Sequence, residues 1–222
     1  MPKRDVDRAR RIEIGQERRA RTRARIVAAA FDLFGEENGL YVRVEDIAAR
    51  AGITRPTFYD HFGGLPELRE AVTHEVTHDF LIAVTATVSR LDDPRERASA
   101  AIRFYLERVR ADPRWGWSMI NLSANGIIFG VETRRQAEMT VQEGMAAGLL
   151  HLSDSAIGRD LVLGTSLAAL STMLRDDPGP DYPARVVTAI LAGMGVAADT
   201  AATIARRPLP PMPGDPPPEH HA

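Results

Sequence analysis

The stretch from Val44 to Phe62 admits few local structures. Val44, Ile47, Ala48 and Ala51 recur at helical spacing, which gives one apolar face to a short helix. Gly52 follows at once, where a left-handed residue ends a helix. Ile53 covers the turn. Thr54 is placed to cap a second helix whose first turn holds Pro56, where the missing N–H has no intrahelical partner to lose. Phe58 and Phe62, four apart, face the first helix, and Ala48 is small enough to let the two helices cross closely. The pattern is a helix-turn-helix. Outward on its second helix remain Arg55, Thr57, Tyr59, Asp60 and His61, a hydrogen-bonding set where a recognition helix meets DNA.

The run Ile47-Ala48 with Ala51-Gly52-Ile53, then Thr54 to Tyr59 and His61-Phe62, resembles the DNA-binding domain of the TetR family of bacterial transcriptional regulators. The resemblance extends upstream through Arg25 to Phe34, which looks like that family's first helix, and its specific part covers residues 21–68. Arg43 stands where a Thr or Ser usually caps the second helix, so the cap is weaker there or Arg43 itself reaches a phosphate. Leu65 replaces a Lys that often grips phosphate. The resemblance implies an all-α homodimer that binds a palindromic operator in double-stranded DNA. Arg43, Thr54, Arg55, Pro56, Thr57, Tyr59 and His61 are then the DNA-binding candidates. Arg55 is the best base reader, because guanidinium pairs bidentately with guanine. Thr57 suits a thymine methyl or a phosphate, and Thr54, Tyr59 and His61 suit phosphates.

Composition narrows the remaining classes. With 44% apolar residues among 222 and no long apolar run, the chain has material for a core and none for a span of about 20 residues. The N-terminus carries charges without an apolar segment, which does not read as a secretory signal. There is no cysteine, hence no disulfide framework or thiolate chemistry, and a cytoplasmic location is the simplest expectation. The net charge of −2 hides an asymmetry: residues 1–25 hold ten Lys/Arg against four Asp/Glu. A basic arm over 1–20 either lies along DNA or is a disordered, solvated tail. Arg18, Arg19, Arg21 and Arg23 stand nearest the folded part.

Helix signals dominate the whole chain. After the three-helix unit at 21–66, helices are expected from Pro66 to about Ser89, from Pro94 to about Arg110, from Pro113 to Asn125, over Val131–Leu149 and over Ile157–Leu174. Two more follow over Tyr182–Met194 and Asp199–Arg206. This gives an all-α chain whose second domain, 67–207, binds effector and dimerises, with a Pro-rich tail over 208–222 read as disordered. The segments 157–174 and 182–194 are apolar most of the way round, so they are buried on more than one side. Either they pair across a two-fold dimer or they are central to the monomer's core.

Two further patterns bear on chemistry. His74-Glu75-Val76-Thr77-His78 matches the HExxH zinc-peptidase motif, with both His on one helical face and Glu75 placed as general base. No strand signals exist to build such an enzyme's substrate sheet, and two ligands make half a site, so neither enzyme, metal nor cofactor is expected. The alternatives kept open are a metal- or protein-responsive regulator and, behind it, the peptidase. The second pattern is a set of side chains on the helices that enclose the effector pocket in TetR-like proteins: Phe104, Tyr105, Trp117, Phe129, Met139 and Met173, with Asn121, Asn125 and Gln142 as polar partners. Trp115, Met119 and Met145 lie on the same helices. Such residues suit a largely apolar small molecule, and they equally suit ordinary core.

Overall fold

The computed structural model describes residues 3–124 and 126–213. Among them lie ten α-helices: α1 (Lys3–Phe34), α2 (Val44–Ala51), α3 (Arg55–Tyr59), α4 (Leu65–Val88), α5 (Pro94–Ala111), α6 (Pro113–Ser123), α7 (Val131–Ala146), α8 (Ser155–Arg175), α9 (Tyr182–Gly193) and α10 (Ala198–Ala205). A 3₁₀ turn over Gly39–Tyr41 precedes α2. No described residue is in a strand.

The N-terminal module is α1, α2 and α3 around Ile26, Ala30, Phe34, Ile47, Phe58 and Phe62, each at most 1% exposed. Gly52 ends α2 at φ 63°, a backbone conformation that a Cβ disfavours. Arg43 starts α2 without accepting a hydrogen bond through its side chain. Its backbone N–H instead donates to Asp46 Oδ2 at 2.9 Å, and its Nε lies 3.3 Å from the same oxygen. Half of a capping box thereby survives, with the acidic partner doing the capping.

The basic segment differs from expectation. Residues 3–20 are not a separate arm; they continue α1 as its first turns. Arg, Glu, Gln and Ala are strong helix formers, and Glu17–Arg21 forms an i,i+4 ion pair at 3.1 Å. That helix propensity outweighs the like-charge repulsion behind the reading as disorder.

In the larger domain α5 is central. It packs against α4, α6, α7, α8, α9 and α10. Its buried positions, among them Ala98, Ile102, Phe104, Tyr105, Leu106 and Val109, run around the helix accordingly. The helix α9 buries Val186, Val187, Ile190 and Leu191 against α5, α8 and α10 of its own chain. The helix α8 turns Val162, Leu163, Ala169 and Leu170 inward and leaves Ile157 and Ala168 outward. The Pro-rich tail also departs from expectation at its start: Leu209 and Met212 pack on Val84, Ala100 and Phe104. Proline bars helix and sheet pairing, yet it leaves neighbouring side chains free to fill an apolar groove. Residues 214–222 lie outside the described residues.

Candidate nucleic-acid interface and effector cavity

The recognition surface is built by the turn. Thr54 caps α3, its Oγ1 accepting from Thr57 N at 3.3 Å and lying 2.9 Å from Thr57 Oγ1. Pro56 follows in the first turn, and Phe58 anchors the helix to the core. Thr54, Arg55, Pro56 and Tyr59 are exposed, while Thr57 and His61 are half-buried. The Arg55 guanidinium lies 3.1 Å from Glu45 and 5.7 Å from the centre of the Tyr59 ring, so α2 and α3 together hold it. His61 Nδ1 is buried without a hydrogen-bond partner. Tyr41, on the 3₁₀ turn two residues before Arg43, is 77% exposed. No periodic pattern marks a side chain on a short 3₁₀ turn, so the sequence gives no sign of it.

Three exposed arginines of α1 fasten it to the rest of the module. Arg19 donates to the Asp60 carbonyl at 2.8 Å, Arg23 lies 4.2 Å from the centre of the Phe62 ring, and Arg25 donates to the Ala51 carbonyl. Arg18 and Arg21 are exposed.

The module joins the larger domain at one polar knot. Asn121 of α6, 3% exposed, donates through Nδ2 to the Phe34 carbonyl at 2.9 Å and the Glu36 carbonyl at 2.8 Å. Arg69 of α4 donates to the Asn121 carbonyl at 2.6 Å and the Leu40 carbonyl at 3.2 Å, with its guanidinium over the Phe34 ring. Gly39 passes through the middle. A Cβ there would meet Asn121 Nδ2 and the Leu33 and Phe34 carbonyls at 2.7 Å, so the knot tolerates no side chain. Arg114–Asp32 at 3.1 Å and Arg175–Glu37 at 2.6 Å brace the same seam.

Beyond the knot, α4, α5, α7 and α8 enclose a cavity of about 90 Å³. Its walls include Leu81, Val84, Ile102, Tyr105, Val141, Val162 and Leu163, with Thr133, Gln136, Thr140 and Ser166 as polar points. Tyr105 Oη lies 3.1 Å from Thr133 Oγ1, and burial pushes its phenol up to about 12. A second cavity of about 420 Å³, lined by Glu70, Thr73, His74, His78 and Glu132, shares Leu81, Phe129 and Thr133 with the first. Phe129 holds a left-handed φ of 58°, a strained conformation for an aromatic residue. In the HExxH segment the His74 and His78 rings stack at 4.6 Å. No group of three metal-ligating side chains is gathered among the described residues.

Of the nine effector candidates, the structure brings only Tyr105 and Phe129 to the cavity. Asn121 is committed to the knot. Phe104 packs in the separate cluster under Leu209 and Met212, and Trp117 lies beneath Arg175 at 4.7 Å. Met139 and Gln142 are exposed on the far side of α7, and Met173 faces the start of α6 near Pro113. Asn125 lies outside the described residues. The sequence reading missed Ile102, Thr133 and Ser166. Ser166, set among Leu161 to Leu170 on an apolar helix, carried a signal in being polar where everything nearby is not.

A helix-turn-helix with a polar outer edge, tied through a hydrogen-bonded knot to a helical domain around an apolar cavity, defines a ligand-responsive, DNA-binding transcriptional regulator. No helix among the described residues is long and apolar enough to cross a membrane. Residues 93–207 match the family model for the tetracyclin repressor-like C-terminal domain, and residues 26–72 match that for bacterial regulatory proteins of the tetR family. The chain belongs to the TetR family. It is 26% identical over 98 residues to the HTH-type transcriptional activator FasR of Mycolicibacterium smegmatis, across 44% of each chain. It is 30% identical over 105 residues to an uncharacterised HTH-type transcriptional regulator of Mycobacterium tuberculosis, across 47% of this chain and 48% of the other. The match therefore spans less than half the length of these curated relatives. Among solved structures, RolR in complex with resorcinol superimposes with a TM-score of 0.73 at 27% identity, covering 89% of this chain and 100% of RolR.

Proposed function

We propose that the protein is a repressor that binds a palindromic operator as a homodimer and leaves it when a small, largely apolar effector fills the cavity between α4, α5, α7 and α8. The observation that carries this reading is the Asn121–Arg69 knot. It supports α4, which lines the cavity, as the link to the N-terminal module, with α6 tied to both through Asn121. An effector that binds better to a conformation with the wrong spacing between recognition helices releases DNA by population shift. Each subunit would place α3 in a major groove, the two about 34–36 Å apart. Arg55 would read a base, while Arg43, Thr54, Pro56, Thr57, Tyr59 and His61 would position the helix on the backbone. Outward Ile157 and Ala168 on α8 support that helix as part of the dimer contact. A DNA-binding role supports a cytoplasmic location. RolR, which binds resorcinol, supports an effector of modest size. FasR is named an activator, so the sign of regulation needs its own measurement.

The experiment selects bound fragments from genomic DNA and then titrates small aromatic compounds against the complex. The expected result is a two-fold symmetric site, released over the range in which a compound quenches Trp115, whose ring lies 5.8 Å from that of Tyr105. A reporter fused to the site should rise on release. An asymmetric site bound by a monomer, or compounds that bind without moving operator affinity, would defeat the reading.

A further inference from the structure

A serine or threonine buried in a helix commonly returns its hydroxyl to the carbonyl one turn back. Thr73, Thr77, Thr87, Thr140 and Thr188 all do so in this protein, at 2.7–3.0 Å. Ser166 does not. It is 3% exposed, its Oγ has no hydrogen-bond partner, and it lines the 90 Å³ cavity. A buried orphan hydroxyl is costly, and native structures retain one where something else completes it. Water is a poor candidate beside Val162 and Leu163, because a trapped water needs two to four polar partners.

Besides the Thr85 hydroxyl on α4, one other polar point of the cavity has capacity to spare. Tyr105 Oη and Thr133 Oγ1 share a single hydrogen bond, so one of the two hydroxyl protons is unspent. Thr140, Gln136 and Arg97 on the wall are engaged. The Thr140 hydroxyl goes to the Gln136 carbonyl, and the Gln136 amide goes to Glu132. Arg97 is held by the Leu91 carbonyl and by Glu143. No uncommitted cation faces the cavity to receive a carboxylate. Size narrows the choice further: about 150 Å³ admits benzene, and this space is smaller. One ring fills this space with slight outward movement of the walls, and a longer molecule would have to extend past Leu81, Phe129 and Thr133 into the second cavity.

We infer that the effector is a neutral, single-ring compound bearing hydroxyl groups, a phenol or dihydroxybenzene, with one hydroxyl paired to Ser166 Oγ and a second reaching the Tyr105–Thr133 pair. This rests on the reading of the cavity as the effector site.

The test is calorimetric titration of the full-length protein with toluene, phenol, resorcinol, benzoate and decanoate, in the parent and in Ser166→Ala. Phenol and resorcinol should bind on the order of tenfold tighter than toluene, the size of one added hydrogen bond. In Ser166→Ala that advantage should shrink to within about threefold, while toluene affinity holds. The unliganded variant should also melt higher, by about 2–4 °C, since it has lost an unsatisfied polar atom. This sign separates a ligand-directed hydroxyl from a structural one, whose removal lowers the melting temperature. Equal affinity for phenol and toluene, or an advantage unchanged in Ser166→Ala, would overturn the assignment while the cavity remains the effector site. Tighter binding of benzoate or decanoate than of phenol would do the same. Phenol binding that leaves operator affinity unchanged would support the hydroxyl assignment and overturn the effector reading beneath it. Failure of every compound, toluene included, would remove both.

Discussion

Arg55 shows how a single exposed side chain is held in place. Its charge sits 3.1 Å from Glu45 and its face near Tyr59, so α2 and α3 fix the guanidinium between them. Side-chain hydrogen bonding to Tyr59 and the nearby Glu45 carboxylate both favour its charged form. Arg55→Ala should relax preference at one base pair per half-site and weaken operator binding by on the order of ten- to a hundredfold. Glu45→Gln should have a different signature, raising affinity for all sequences through lost repulsion of phosphate while narrowing the margin between operator and competitor. Binding titrations against operator variants at fixed salt distinguish the two. If Arg55→Ala binds every variant like the parent, another residue reads the base.

At the scale of elements, caps and seams matter more than exposed charge. Asp93 starts α5, the helix at the centre of the larger domain. Its Oδ1 accepts from Arg95 N at 2.8 Å, and its Oδ2 takes the Arg95 guanidinium at 2.7 Å. The Arg95 side chain is the main reason the Asp93 carboxyl lies below its ordinary value, with the backbone N–H adding to it. A depressed carboxyl contributes stability that is fully present above the unfolded value of about 3.9, and that fades as pH falls through the lower folded one. Asp93→Ala should therefore cost about 1 kcal/mol at neutral pH, with the gap to the parent closing in acid. Thermal melts from pH 7 to pH 2 follow this, and a constant gap would contradict it. The helix α1 makes a parallel case. Arg19 and Arg23 are turned back onto Asp60 and Phe62 just beyond α3, and Arg21 is paired with Glu17, so Arg18 is the residue left to meet phosphate. Arg18→Ala should lower the salt slope of DNA binding by about 0.9, whereas Arg19→Ala should also lower the melting temperature.

For the whole molecule the question is how filling a cavity can move a helix that touches none of its walls. In the proposed function Asn121 and Arg69 are the link, because they bind backbone carbonyls of the N-terminal module from α6 and α4, and α4 also supplies Leu81 and Val84 to the cavity. Asn121→Leu would leave the Phe34 and Glu36 carbonyls unpaired, at a cost of about 1–3 kcal/mol. Effector affinity should stay within about threefold, since Asn121 is outside the cavity. The fall in operator affinity on adding effector should largely disappear. Linkage requires the loss to be reciprocal, so DNA should also stop weakening effector binding. An intact response in this variant would place the coupling elsewhere, with the Arg114–Asp32 and Arg175–Glu37 ion pairs the next to examine.

What the chain determined by itself was everything set within one or two turns. Gly52 ends a helix because its φ is positive, Thr54 caps the next because its hydroxyl is near Thr57 N, and Phe58 and Phe62 are buried because they are four apart. Those rules act over a few residues, so they are legible in order along the sequence, and with them the helix-turn-helix and the all-α class. The same local view misjudged residues 3–20, where charge was weighed above helix propensity. It also misjudged the tail, where Leu209 and Met212 found a groove no neighbouring residue announces. The cavity depended on which faces of α4, α5, α7 and α8 meet across gaps of up to 85 residues. Periodicity says that Phe104 and Tyr105 are both apolar and buried, yet only packing sends Tyr105 to the cavity and Phe104 away from it. Asn121 is the clearest instance. That a buried Asn needs partners follows from its chemistry, but that the partners are Phe34 and Glu36 rather than a ligand was decided by the tertiary structure, because hydrogen-bond demand carries no address.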